Sequence, residues 1–281
     1  MSVKKKKEKK SALAKQIAER KISSDWYYAI KWIAIISMLI DHTSQTLCIS
    51  CNDEIRLTMR VIGRLAFPLF AWELSECFHH TKHKWKHFFK IGIFAVLSEI
   101  PFDKALKGSF YNPNFQNVCF TLLIGWLMLI CINFDWKHFF EKCGFKKGKI
   151  VNNVFSKMAG LSLCLPLFGL AYLLKVDFSY YGIGLILLFE FARKIKNRKL
   201  MEFIAISSYI GLRGIVMTRY YSVCFICLIL FYLAEWDKGE KEGGRIEKAL
   251  VSRPAKFLAM SFYPLHLTIL MMIMILGEYI K

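Results

Sequence analysis

The chain has 281 residues, of which 55% are hydrophobic and 15% aromatic, and it carries a formal net charge of +19. That is more apolar surface than one water-soluble core hides, which excludes an ordinary soluble domain and makes membrane lipid an expected partner. The positive charge sits in short clusters between long apolar stretches, a pattern that argues against a nucleic-acid partner and for loops obeying the positive-inside rule.

Taken in chain order, residues 1–24 come first, with Lys4 to Lys7, Lys9 and Lys10 near their start. The next apolar segment begins only after Asp25 and has no small-residue cleavage site behind it, so a removable signal peptide is not expected. This stretch reads instead as a basic cytoplasmic tail able to touch anionic headgroups. Windows of about twenty residues then pick out apolar segments at 27–47, 58–78, 87–101, 117–134, 157–175, 179–192, 200–213, 216–235 and 256–279, those at 87–101 and 200–213 being short.

The connections alternate in charge. His79 to Lys90, Asp135 to Lys157, Ala192 to Lys199 and Glu235 to Lys256 are rich in Lys and Arg. Cys48 to Leu57, Pro101 to Gln116 and Val176 to Phe178 are not, and the junction near Arg213 carries only a few charges. The expected fold class is therefore all-α, a polytopic integral membrane helical bundle of about nine transmembrane helices. It lies in the cell (plasma) membrane as a multi-pass protein with its N-terminus cytoplasmic and its C-terminus outside. Residues 25–281 form one transmembrane domain, because no repeat of fixed period divides them.

The nine Cys are scattered, mostly inside apolar stretches, where a thiol behaves as a small hydrophobe. They suggest neither a disulfide scaffold nor a metal site. Cys48-x-x-Cys51 lies in a polar loop, where it reads as a redox or metal pair, but no second pair completes a ligand set. No metal is expected.

Ionisable residues inside the apolar segments are the functional candidates, since a charge near the bilayer centre costs at least about 2.5–3.5 kcal/mol. They are Asp41 and His42 in the first segment, Arg60 and Arg64 in the second, Glu99 and Asp103 at the end of the third, and His266 in the last. Lys31 and His42 are eleven residues apart, about 20° from three full helical turns, so they face the same way about 16 Å apart along one axis. Arg60 and Arg64, at i and i+4, also share a face and can grip an anionic or carbonyl-bearing group together. The bland reading of each is a buried ion pair that fixes helix packing, and for His42 a hydrogen bond to a backbone carbonyl. Glu73 and Glu76 are expected to meet the basic loop or the headgroups. The layout suggests a polar shaft entered from both sides of the membrane.

Five stretches carry a family resemblance: KWIAIISMLIDH in the first segment, RVIGRLAFPLFAWELSECFHHT in the second and its following loop, LSEIPFD ending the third, QNVCFTLLIG opening the fourth, and SFYPLHL in the last. In that order they resemble the TraX family, whose named member acetylates the N-terminal residue of a conjugative pilin. The resemblance implies a multi-spanning acyltransferase that uses acyl-CoA, with a basic residue, ten intervening residues and a His on an early helix; Lys31 and His42 fit that spacing. Carried over residue by residue, the implied catalytic set is His42, Asp41, Arg60, Arg64, Glu99, Asp103, Asn117 and His266, with Lys31 and Arg64 toward the acyl-CoA. Pro68 and Pro264 belong to the same motifs as helix-bending residues. The Lys-rich N-terminal extension and the stretch from about 140 to 215 match no motif, and no residue identifies a pilin partner.

What the resemblance implies is transfer of an acetyl group from cytoplasmic acetyl-CoA to an unidentified acceptor outside, a peptide amine or a sugar or lipid hydroxyl. Lys31, with Lys82 to Lys90 or Lys146 to Lys149, would neutralise the CoA phosphates. His42 would be the general base, oriented by Asp41 or Glu99, and Arg60, Arg64 or Asn117 would face the oxyanion. An acetyl-His42 intermediate with His266 as second base is the two-step variant. The rival readings are a proton-coupled transporter or exporter of a small solute using the same residues as a relay, and a scaffold that recruits partners through its tail.

Overall fold

The computed structural model describes residues 24–48, 51–144, 155, 158–212, 220–236 and 253–280. Among these the chain is all-helical, with no strand and one isolated bridge between Gln116 and Val176. The basic tail, Lys146 to Lys149 and the junction at Arg213 lie outside the described residues.

Helix α1, Ser24–Thr46, contains neither Gly nor Pro and so runs unbroken from Lys31 to His42. A disulfide then joins Cys48 to Cys51, the pair that the polar loop set apart from the other scattered cysteines. Asn52 then caps α2, Asp53–Gly63, its side chain accepting the Glu54 N–H at 2.9 Å, and Asp53 and Glu54 complement the positive end of the helix dipole.

The second apolar segment, expected as one helix over 58–78, is two: α2 stops at Gly63 and α3 spans Ala66–His80. Pro68 supplies the reason. It lacks an N–H and its ring crowds the carbonyl four residues back, that of Arg64. The Arg64 and Leu65 N–H groups turn to the Val61 and Ile62 carbonyls at 3.1 Å, and the released Arg64 carbonyl accepts the Cys224 thiol at 3.3 Å.

Helix α4, Lys84–Lys107, runs through Pro101 and ends at Gly108, whose φ of 75° is the left-handed cap glycine tolerates. The third segment is thus longer than expected, and the turn expected from Pro101 begins seven residues later. Then come α5 (Val118–Asn133), a short α6 (Trp136–Lys142), α7 (Cys164–Leu173), α8 (Ser179–Lys194) and α9 (Arg198–Leu212). A 3-10 turn, Ser222–Phe225, leads into α10 (Ile226–Trp236), and α11 (Arg253–Ile280) carries Pro264 inside it. Each apolar segment of the sequence carries helix. Among the described residues, however, no single helix is long and apolar enough to cross a membrane; α5 and α6, bent by 60° relative to each other, meet length and composition together.

Helix α1 packs against α2, α3 and α11, while α4 lies along α11 and α5, and α8 along α9 and α3. The main core gathers Ile30, Leu69, Trp72, Trp126, Phe189, Tyr209 and Phe231, all buried. A second cluster of Met38, Ala66, Ala95, Phe102, Cys119, Tyr263 and Leu267 joins α1, α3, α4, α5 and α11. Outside, the polarity is reversed. Trp85, Phe89, Ile93, Val96 and Ile100 form an exposed apolar stripe along α4, and Leu265, Ile269, Met272 and Leu276 another along α11, whereas His42, Glu73, Glu76, Asp103, Asn117, Glu190, Arg198, Glu202 and His266 are buried.

Candidate functional site

The C-terminal half of α1 and the middle of α11 bring His42 and His266 together, 224 positions apart in sequence, with His42 Nδ1 2.7 Å from His266 Nε2. The rings are nearly parallel, at 6° and 5.0 Å between centroids, and Tyr263 closes on both. The chain of hydrogen bonds assigns the tautomers. His266 Nδ1 lies 2.7 Å from the Phe262 carbonyl, which only accepts, so His266 carries its proton on Nδ1 and presents a lone pair on Nε2. That lone pair accepts from His42 Nδ1–H. The neutral His42 therefore holds its own lone pair on Nε2, the form a general base requires.

Asp41 faces away from this pair. It accepts Arg60 Nη1 at 3.1 Å on both oxygens, Arg64 Nη2 at 3.5 Å and Gln45 Nε2 at 2.9 Å. Arg64 Nη1 also donates to the Tyr221 hydroxyl at 3.1 Å. This approach of α2 to α1 depends on Gly63, where an added Cβ would stand 2.5 Å from Asp41 Oδ1. The two arginines expected to need a negative partner have one in Asp41, and the partner expected for His42 in Asp41 or Glu99 is His266.

Glu99, Asp103 and Asn117 assemble at the C-terminal end of α4. Asn117 caps α5 by accepting the Cys119 N–H at 2.9 Å, donates to the Ala95 carbonyl at 2.8 Å, and donates to Glu99. Asp103 accepts the Asn112 N–H at 2.6 Å. These bonds tie the 109–117 loop to α4 and α5, a positioning role not evident from the residue types alone.

Lys31 is at the other end of α1, paired with Glu73 at 2.8 Å, and Glu73 also accepts the Tyr27 hydroxyl at 3.2 Å. Lys31 and Glu73 stand at the mouth of an apolar cleft of about 330 Å³ that passes Ile35 and Phe70 to reach Met38, Cys119 and Tyr263. Met38 is one turn before His42, and His87 and Lys90 share the mouth. A neighbouring cleft is lined by Lys82, His83, Lys86 and Lys90. A third void of about 960 Å³ opens at the opposite end, between Ser44, Gln45, Arg56, Arg60, Arg64 and Tyr221. The polar shaft of the sequence reading is therefore not found as one void among these clefts: the apolar one reaches Met38 and Tyr263, the polar one is lined by Ser44, Gln45 and the arginines, and His42 and His266 line neither.

The sequence reading missed an ionic network near the mouth. Glu76 pairs with Arg193 and, at 2.9 Å, with Arg198, which reaches Glu202 at 2.8 Å and Glu235 at 3.0 Å; Trp72 Nε1 donates to Glu202 at 3.0 Å. Burial works to lower the Arg198 pKa, but Glu76, Glu202 and Glu235 hold it above the ordinary arginine value. Glu190 meets His79 at 2.7 Å and Lys194 at 2.9 Å. Glu76 thus meets Arg193 and Arg198 around the 192–199 connection, Glu73 meets Lys31 of the first segment, and the buried ends of α8 and α9 that complete the network left no periodic signal.

The sequence profile of the family described as TraX protein matches residues 27–274. A curated relative, the probable fimbrial assembly protein FimC, serogroup H1, of Dichelobacter nodosus, is 31% identical over 110 residues, which are 37% of this chain and 45% of that protein. The chain thus spans less than half the length of that relative. No solved structure matches.

Proposed function

Because the chain belongs to the TraX family, we propose that it is an integral membrane acyltransferase that moves an acetyl group from acetyl-CoA on the cytoplasmic side to an acceptor on the outer side. The exposed apolar stripes of α4 and α11 are read as lipid-facing. The charges that lower the hydropathy of α1 and α3, namely Lys31, Asp41, Glu73 and Glu76, turn inward onto opposite charges, so lipid does not meet them. In this reading the nine helical segments cross the bilayer with the N-terminus inside. The Cys48–Cys51 disulfide falls in an outer loop, where oxidised pairs persist.

The observation that carries the reading is the His42–His266–Phe262 hydrogen-bonded chain, set on α1 between Met38, which lines the apolar cleft, and Ser44 and Gln45, which line the polar one. Lys82, Lys86 and Lys90 suit the CoA phosphates, and the apolar cleft suits the pantetheine arm, which must cover about 16 Å from the level of Lys31 to that of His42. His42 Nε2 takes the proton of the acceptor hydroxyl or amine as its O or N bonds to the thioester carbon. The C–S bond then breaks, and the proton passes from His42 to the departing thiolate to give free CoA. Arg64, already beside this turn, serves the developing oxyanion, a contact worth about 3–4 kcal/mol. His266 acts as the positioning partner of His42 and not as a second base.

The test is turnover of radiolabelled acetyl-CoA by purified protein in nanodiscs. His42→Ala is expected to lose activity by about 10²–10⁴-fold while remaining folded. Equal turnover by variant and parent rejects the assignment, and absence of turnover in the folded parent favours the proton-coupled transporter.

A further inference from the structure

Arg56, Arg60 and Arg64 recur every four residues, so they form a ladder on one side of α2 with rungs about 6 Å apart. Side-chain exposure falls from 46% at Arg56 to 33% at Arg60 and 16% at Arg64. The ladder therefore leads from the outer rim down toward the Asp41 turn, and all three line the polar cleft together with Ser44, Gln45 and Tyr221. Arg64 donates to Asp41 and Tyr221, and in the acyltransfer reading its remaining N–H groups serve the oxyanion. Arg60 meets Asp41 through Nη1 alone among the described residues, which leaves most of its five N–H donors for another partner. Arg56 meets only Asp53 among them, whose side chain is 90% exposed, and a pair that open to water is weak and readily exchanged. Among the described residues, Asp41 and Asp53 are the carboxylates in contact with the ladder, Asp177 acting on Arg60 from farther away, and the unused guanidinium donors match phosphate and carboxylate oxygens.

We infer that the outer cleft holds the acceptor by an anionic group, a phosphate or carboxylate seated between Arg56 and Arg60. The inference rests on the acyltransfer reading and deepens it, narrowing the acceptor from any hydroxyl or amine to an anionic molecule. With the anion on the upper two rungs, the rest of the acceptor descends past Arg64 toward the turn that holds His42.

The experiment is equilibrium dialysis of the full-length protein, in phosphatidylcholine nanodiscs without acyl donor, against radiolabelled sn-glycerol 3-phosphate, with glycerol as the neutral counterpart. The phosphate ester is expected to bind saturably and glycerol not to bind. Arg56→Gln, at a half-exposed position, is expected to keep the fold and weaken binding at least about tenfold, with Arg56→Lys intermediate. Nanodiscs containing phosphatidylglycerol separate the two sources of the anion: a lipid headgroup in the cleft suppresses binding of the soluble ester, whereas a soluble acceptor leaves it unchanged. Absence of saturable binding in phosphatidylcholine, or equal binding by parent and Arg56→Gln, overturns the inference. Since dialysis needs no acetyl-CoA, an anion-binding protein without turnover counts against acyl transfer alone, and an active protein without anion binding counts against the anion site alone.

Discussion

Replacing His266 tests whether it orients His42. His266→Phe keeps an aromatic ring beside Tyr263 but removes the acceptor now 2.7 Å from His42 Nδ1. A buried N–H left without a partner costs about 1–3 kcal/mol, and at 1.4 kcal/mol per factor of ten this corresponds to a loss of about 5- to 150-fold. The imidazole escapes part of that cost by moving its proton to Nε2, the wrong tautomer for a base, so the loss falls on kcat more than on KM. His266→Gln supplies the control. Its side-chain amide oxygen stands near the position of His266 Nε2 and again accepts from His42 Nδ1–H, so activity is expected to return to within about tenfold of the parent. The assay is steady-state turnover of labelled acetyl-CoA with thermal unfolding measured in parallel. Parent-like kcat in His266→Phe, or a His266→Gln variant as impaired as His266→Phe, refutes the positioning role; a second catalytic base at this position predicts the latter result.

Two further substitutions probe the frame around the site. Gly63→Ala drives a methyl group against Asp41 and is expected to destabilise the protein by about 1–3 kcal/mol and to displace Asp41 from Arg60, seen as a lower melting temperature together with reduced turnover; an unchanged melting curve contradicts the close packing of α2 on α1. Arg198→Met leaves Glu76 and Glu202 buried without their shared partner and is expected to cost about 3–5 kcal/mol, read by thermal unfolding in detergent. A melting temperature equal to the parent's shows that the network does not hold α3 and α9 together.

Local regularities were legible in the sequence because they depend on residues a few positions apart. Helical periodicity set Lys31 and His42 along one side of α1, and the four-residue interval set Arg60 beside Arg64. Apolar runs located helix in each expected segment. Even the break before α3 had its cause in view at Pro68, although reading the run as continuous concealed where it fell.

What only the tertiary structure decided is partnership across distance. His42 has His266 beside it because α11 returns against α1, and no local pattern distinguishes that partner from Asp41, its chain neighbour, which instead balances two arginines. Glu76 and Arg198, 122 positions apart, and Cys224 beneath the Arg64 carbonyl were invisible for the same reason. A helix repeat fixes the direction of a side chain on its own axis, whereas which neighbouring helix it meets is settled by how all the axes pack together.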